Sequence, residues 1–401
     1  MDPEAYSRII AGALPVGSES VPLAEAVGRI LAHDVVARDP IPAFATSAMD
    51  GYALDARALA RARTGAPVSV VGDVPAGHRP VDIAAGTAVR VMTGAAVPAG
   101  AVAVVPVEFT DAARTGEIPE TITVAGLPET IVGRWNIRDV GEDTAVGDIV
   151  VLGGQRLGAA AIGSLAMLGE TTVEVRRRLR VGLIVTGDEL AAAPGAATAT
   201  APIIPNSNLP MLAAAIVTAG AIPHLGTSSD DPAEFLAVLD GLLPDVDLVI
   251  TTGGISAGAF EVVRASLEGT DSEFVRVRQR PGGPQGHGRR GGVPLLHFPG
   301  TPSGALLSFH LFALTLLSGT DLAARWQRAV YAGPDLAGHV KGVSFVPVTV
   351  SVEGTVVPAE RARLRDFAGA DAILRVPAAP AAISAGDLVQ VLPLPATGLA
   401  G

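Results

Sequence analysis

No cysteine occurs in the 401 residues, which excludes a disulfide framework, thiolate metal ligation and a cysteine nucleophile from the chemistry open to this chain. Lysine is nearly absent, represented by Lys341, so basic character rests on arginine. Long apolar runs are missing as well. The longest apolar helix candidate, Ala305 to Leu317, is too short to span a bilayer and carries His310, so it reads as a buried core helix. The opening Met1-Asp2-Pro3-Glu4 is acidic where a secretory leader is basic. A cytoplasmic protein without a membrane span is expected. A basic surface is lacking too: the net charge of −11 argues against nucleic-acid binding, which needs neutralised phosphates.

Apolar residues make up 49% of the sequence, enough at this length for several cores and two to four domains. Charge is unevenly spread. Between Phe274 and Thr320 there is no Asp or Glu, whereas Arg276, Arg278, Arg280, Arg289 and Arg290 all fall there. A basic island in an acidic chain points to a local anion site.

Asp2 followed by Pro3 starts a helix with Tyr6, Ile9 and Ile10 on its apolar face. A second helix is expected over Leu23 to Leu31. From about residue 41 to 135, short β-type runs such as Val68 to Val71, Thr87 to Val91 and Ala101 to Val107 alternate with glycine and proline turns, giving a β-rich insert. Leu157 to Leu168 forms a helix that stops at Gly169. Beyond Arg180, strands over Val181 to Thr186, Ala221 to Gly226, Leu248 to Thr252, Phe274 to Arg278 and Val293 to Phe298 alternate with helices over Leu209 to Ala219, Pro232 to Leu243, Ala259 to Leu267 and Ser303 to Leu317. That alternation predicts a doubly wound parallel sheet with ligands at the carboxyl ends of its strands. From about residue 328 the β signals return, as in Ser344 to Val350 and Leu388 to Leu392, and indicate a small separate barrel or sandwich.

Four strand ends carry glycine or proline turns: Thr186-Gly187-Asp188-Glu189, Thr252-Gly253-Gly254-Ile255-Ser256, Pro281-Gly282-Gly283-Pro284 and Pro299-Gly300-Thr301-Pro302. Glycine lets backbone approach a ligand closely, and the amides of such turns can cradle an oxyanion. One glycine turn is usually only a turn; several on one sheet edge suggest a single binding rim. Arg276, Arg278 and Arg280, at period two, either line that rim or form a solvated edge strand. His287 lies in a glycine-rich loop with no second ligand nearby and is expected to face solvent. Asp50, Asp143, Glu189, Asp230 and Glu261 all sit at turns, where a carboxylate is commonly a cap; Asp230 or Asp231 is positioned to cap the helix that begins at Pro232. Carboxylates that share a cleft with an anion nest require a divalent cation between them.

Eight strings in register then resemble one family. Val21-Pro22-Leu23 with Glu25-Ala26-Val27-Gly28-Arg29, Ser47-Ala48-Met49-Asp50-Gly51-Tyr52-Ala53, Met92-Thr93-Gly94-Ala95, Gly141-Glu142-Asp143, Thr186-Gly187-Asp188-Glu189-Leu190, Asn206-Ser207-Asn208, Gly253-Gly254-Ile255-Ser256 and Pro299-Gly300-x-Pro302 are similar, in order, to the landmarks of the molybdopterin molybdenumtransferase (MoeA) family, related to the gephyrin E domain. The match covers nearly the whole chain. The resemblance implies an elongated homodimer of four-domain chains. These are a helix-containing linking domain (1–42 and 136–178), the β-rich insert (43–135), an α/β molybdopterin-binding domain with a doubly wound parallel sheet (179–322) and a C-terminal β-barrel (328–401). The cleft would lie between the α/β domain of one subunit and the insert of the other. It also implies the reaction: molybdate enters the dithiolene of adenylylated molybdopterin, and AMP leaves in a Mg²⁺-dependent step. A molybdopterin adenylyltransferase is the expected partner enzyme.

By position, the resemblance makes Asp50, Thr93, Asp143 and Glu189 catalytic. Glu189, Asp230 and Glu261 fall near the metal and molybdate, and Gly253, Gly254, Ser256, Arg280, Pro299, Gly300, Thr301, Pro302 and Ser303 bind substrate. Three residues depart from the family pattern. Glu261 stands where Asp is usual, Gly283 replaces a lysine, and Thr301 replaces an asparagine suited to left-handed backbone; Arg280 keeps the charge of another lysine. These changes leave a second reading open, a non-catalytic or weakly active paralogue that carries molybdopterin or regulates its use.

Overall fold

The computed structural model describes residues 1–12, 14, 17–191, 203–256, 258 and 261–395. It divides into two compact units, Met1–Gly17 with Arg177–Gly401, and Ser18–Arg176.

In the first unit a six-stranded sheet forms from β1 (Arg180–Thr186), β2 (Ile222–Ser228), β3 (Leu248–Thr252), β4 (Ser272–Arg276), β5 (Pro284–Arg290) and β6 (Val293–Phe298), in the spatial order β2-β1-β3-β6-β5-β4. The pairs β1 with β2, β1 with β3 and β3 with β6 are parallel, whereas β5 is antiparallel to both β6 and β4. One reversed strand thus interrupts an otherwise parallel sheet. Period-two patterning explains why both faces are covered. Val181, Leu183, Val185, Leu248, Ile250, Leu296 and Phe298 pack on one face with Leu212 and Ile216 of α1 (Asn208–Thr218) and Leu307 of α4 (Pro302–Ser308). Ile184, Val249 and Leu295, the alternate residues, pack on the other with Phe235 and Leu239 of α2 (Pro232–Leu242) and Val262, Val263 and Leu267 of α3 (Val262–Leu267). The expected start of α3, Ala259, lies outside the described residues.

The C-terminal strands β7 (Gln327–Tyr331), β8 (Val343–Val350), β9 (Thr355–Pro358), β10 (Ala372–Val376) and β11 (Leu388–Pro393) pair in a ring, β8-β9-β7-β11-β10, closed by β10 with β8. This is a small closed β-barrel, and Tyr331, Val348, Val356, Leu374 and Val391 fill it.

The second unit holds a five-stranded sheet ordered Ala103–Pro106, Gly51–Leu54, Ala88–Val91, Val68–Val74 and Thr121–Ile122. The helix expected over Leu23 to Leu31 is instead a single 3₁₀ turn, Leu23–Glu25. Gly28 adopts φ +75°, which ends any helix, and Leu31 forms a bridge with Val175. His287 also departs from expectation: it sits in β5, half-buried, edge-on to the Tyr6 ring at 5.5 Å.

His297 is the polar residue at the centre of the sheet. It is fully buried, with Nδ1 2.9 Å from Thr251 Oγ1 and Nε2 2.8 Å from Ser272 Oγ. Burial pushes its pKa down to about 3, whereas the unfolded chain titrates near ~6.5. A depressed histidine contributes stability that is present above the unfolded value and lost as pH falls toward the folded one. Stability is therefore expected to decline between pH ~6.5 and ~3 with a slope of up to ~1.4 kcal/mol per pH unit from this group. Urea unfolding at stepped pH should show a shallower slope for His297→Gln; an unchanged slope would remove His297 as the cause.

Candidate functional site

The strand order reverses at β1, with β2 on one side and β3 on the other, and a crevice at the carboxyl ends is expected where such a reversal occurs. A pocket of about 500 Å³ lies there, lined by residues of the turns after β1 and β3, the segment entering α1 and the turn before α4. Gly253 lets these turns meet: its φ is +98°, and a Cβ on it would stand 2.7 Å from the Thr186 carbonyl oxygen. Any side chain would push β3 away from β1.

The pocket gathers most of the expected residues, namely Glu189, Gly253, Gly254, Ser256, Asp230, Glu261, Gly300, Thr301 and Pro302. Pro299 stands behind the wall, where its carbonyl accepts from Thr252 Oγ1 at 2.9 Å. Ser303 is in the first turn of α4. Two amides expected in the anion nest are already engaged. Gly253 N–H donates to Phe298 O at 3.2 Å, and Ser256 N–H donates to Glu261 Oε2 at 2.7 Å. Among the described residues, the amides of Gly254, Gly300 and Thr301 have no acceptor. Thr301 adopts φ −68°, so the left-handed geometry that would disfavour a β-branched residue does not arise.

Carboxylates face these amides. Glu261 accepts from the Gly258 N–H (3.2 Å) as well as Ser256, so it organises its own loop rather than standing free as a ligand. Asp188 and Asp230 are tied by reciprocal bonds, Asp188 N–H to Asp230 Oδ2 at 3.3 Å and Asp230 N–H to Asp188 Oδ1 at 3.0 Å. The helix cap is Asp231, whose Oδ1 accepts from Glu234 N–H at 2.8 Å. Burial raises the Asp230 carboxyl above its ordinary value, and the negative Asp188, Glu189 and Glu261 push it the same way. The pocket lining carries three carboxylates, Glu189, Asp230 and Glu261, with no arginine or lysine among the described residues. The described residues hold no group of three or more His, Asp or Glu able to cage a metal, and this donor set suits a cation such as Mg²⁺, which takes one or two carboxylates and completes its shell with water and substrate phosphate.

The arginines do not join this rim. Arg276, Arg278 and Arg280 converge with His339 and Lys341 on a second cavity of about 560 Å³. The strand ends at Arg276, and Gln279–Arg280 then pairs with Val343–Ser344 of the barrel. Arg280 Nη1 lies 3.1 Å from His339 Nε2. A side chain at Gly283 would start 3.9 Å from Arg276 Cγ, so Arg276 occupies the neighbourhood from which a lysine there would extend. The walls touch: a Cβ on Gly282 would lie 3.1 Å from Gly304 Cα.

In the other unit, Asp50 Oδ1 accepts from the Thr93 N–H at 2.6 Å and the Thr93 hydroxyl at 2.8 Å. Those two bonds hold the Asp50 carboxyl below its ordinary value. Asp143 pairs with Arg138.

Residues 3–169 match the family model described as the MoeA N-terminal region (domain I and II), and residues 182–319 match a probable molybdopterin binding domain. Molybdopterin molybdenumtransferase 2 of Mycobacterium tuberculosis (strain H37Rv) is 40% identical over 390 residues, which cover 93% of this chain and 94% of the relative. The chain belongs to the molybdopterin molybdenumtransferase family. Its place is in molybdenum cofactor biosynthesis, among relatives that are named as transferases. Another molybdopterin molybdenumtransferase, from Haemophilus influenzae, is 32% identical over 316 residues, with 78% of this chain and 76% of that one covered. The solved molybdopterin biosynthesis moeA protein from Pyrococcus horikoshii OT3 superposes with a TM-score of 0.80 at 25% identity, covering 98% of this chain and 100% of that chain.

Two site residues escape sequence reasoning even within molybdopterin molybdenumtransferase landmarks. Asp188 does not line the pocket but is bonded to Asp230, which does, and Asn208 closes the Asn-Ser-Asn string, yet neither string says which member plays which part. Replacing Glu261 by Ala should free the Ser256 and Gly258 amides. Hydrogen exchange at those amides should accelerate, with a stability loss of about 1–3 kcal/mol; unchanged protection there would show that Glu261 does not organise the loop.

Proposed function

We propose that this chain inserts molybdate into the dithiolene of adenylylated molybdopterin and releases AMP. The observation that carries the reading is the pocket at the strand ends, where unengaged turn amides share a lining with the carboxylates of Glu189 and Asp230 and no arginine or lysine is among the described lining residues. Amides of Gly254, Gly300 and Thr301 suit phosphate oxygens. Glu189 and Asp230 repel such a ligand unless Mg²⁺ comes with it, and they are the residues that would hold the ion. When bound, Mg²⁺ supplies neutralisation of the phosphate charge. The adjoining arginine cavity, with Arg276, Arg278, Arg280 and Lys341, suits the second anion, molybdate. Asp50, Thr93 and Asp143 are assigned to the same reaction on family resemblance. A cytoplasmic homodimer that receives its substrate from a molybdopterin adenylyltransferase completes the reading.

Purified full-length protein incubated with adenylylated molybdopterin, Mg²⁺ and molybdate should release AMP. Omitting molybdate or adding EDTA should suppress the release, and Asp230→Asn should slow it by about 10²-fold or more. Tight pterin binding without AMP release would favour a carrier or regulatory paralogue, and neither binding nor release would reject both.

A further inference from the structure

Asn208 opens α1 and is buried, with 7% of its surface exposed. It does not cap the helix: Ser207 is the N-cap, and Asn206 Oδ1, just before it, accepts from Leu209 N–H at 3.1 Å. The Asn208 Nδ2 instead donates to Gly300 O at 2.8 Å and to Thr252 Oγ1 at 3.1 Å. Thr252 Oγ1 in turn donates to Pro299 O at 2.9 Å. The directions are mutually consistent. A carbonyl can only accept, so the amide nitrogen must face Gly300, and the Thr252 proton is committed to Pro299. Oδ1 of Asn208 is sealed without a partner, so this amide is kept for what its nitrogen does.

We propose that Asn208 is a positioning residue that clamps the 299–302 turn to the end of β3. It thereby sets the spacing between the Gly254 amide and the amides of Gly300 and Thr301. Its functional part rests on the phosphate-binding use of those amides proposed above; the clamp itself does not. Amides that bind one anion must each stand about 2.7–3.1 Å from its oxygens, so a displacement of about 1 Å between the two turns disables the set. One side chain bonded to both turns fixes that distance.

The test is hydrogen exchange, read by mass spectrometry, on ligand-free full-length protein with Asn208→Ala, Asn208→Asp and Thr252→Val. Exchange at the Gly253 amide, which donates to Phe298 O, and at the Ala305 amide, which donates to Thr301 O, should rise about tenfold or more in each variant while the barrel strands keep their protection. Asn208→Asp, although isosteric, should be worse than Ala, because it turns a carboxylate toward the Gly300 oxygen. In the AMP-release assay, kcat/KM should fall about 10–100-fold in Asn208→Ala. The clamp is overturned if exchange at the Gly253 and Ala305 amides stays within about twofold of the parent, or if protection is lost evenly across the unit. Should Asn208→Ala fail to fold, Asn208→Asp, which keeps the side-chain shape and the Thr252–Pro299 bond, decides. A parent protein that releases no AMP defeats the functional reading but leaves the outcome of the exchange experiment standing.

Discussion

The turns after β1 and β3 can stand together only because Gly253 puts no Cβ between them, and the turn before α4 packs against that glycine. Gly253 lies against Thr186, and a Cβ on Gly300 would be 3.4 Å from Gly253 Cα. That proximity depends on parallel pairing of β1 with β3 and of β3 with β6, which delivers Thr186, Thr252 and Phe298 to one edge of the sheet. The pocket, its unengaged amides and the inward carboxylates are consequences. The glycines supply the approach, and the side chains behind them, Thr252 and Asn208, fix it.

Charge is segregated within this unit. The pocket at the strand ends is lined by acidic side chains, and the arginine cavity carries the cations, with the 281–284 turn packed on the 299–304 turn between them. Had the arginines entered the first pocket, they would have neutralised Glu189 and Asp230. Keeping them apart leaves one pocket lined by carboxylates without arginine or lysine among its described residues, and a neighbouring cavity lined by cationic side chains. That arrangement is what the proposed reaction, which brings a phosphorylated pterin and a metal oxyanion together, would use.

Much of this is legible in the sequence because hydrophobic period encodes the sheet directly. Val181, Leu183 and Val185 alternate with Ile184, and the two sets do enter different cores. β5 is not legible: Pro-Gln-Gly-His-Gly-Arg-Arg has no apolar period, and its strand character comes from partners so close that a Cβ on Gly288 would meet Asp271 O at 2.0 Å. The turn motifs identify the rim, yet the state of each amide is a tertiary property. Glu261, one methylene longer than Asp, reaches back to Ser256 and Gly258. The arginines fail to join the rim because the chain leaves the sheet at Arg276 to pair with the barrel, a contact that no local pattern encodes.

If anion and cation occupy the pocket as a linked pair, calorimetric titration of AMP into the protein with and without Mg²⁺ will register it. Linkage requires each ligand to tighten the other by the same factor. Affinity for AMP should rise by about tenfold or more with Mg²⁺, and that gain should vanish in a Glu189→Gln, Asp230→Asn double variant. Equal affinity with and without Mg²⁺, or a gain that survives loss of both carboxylates, would rule the pairing out.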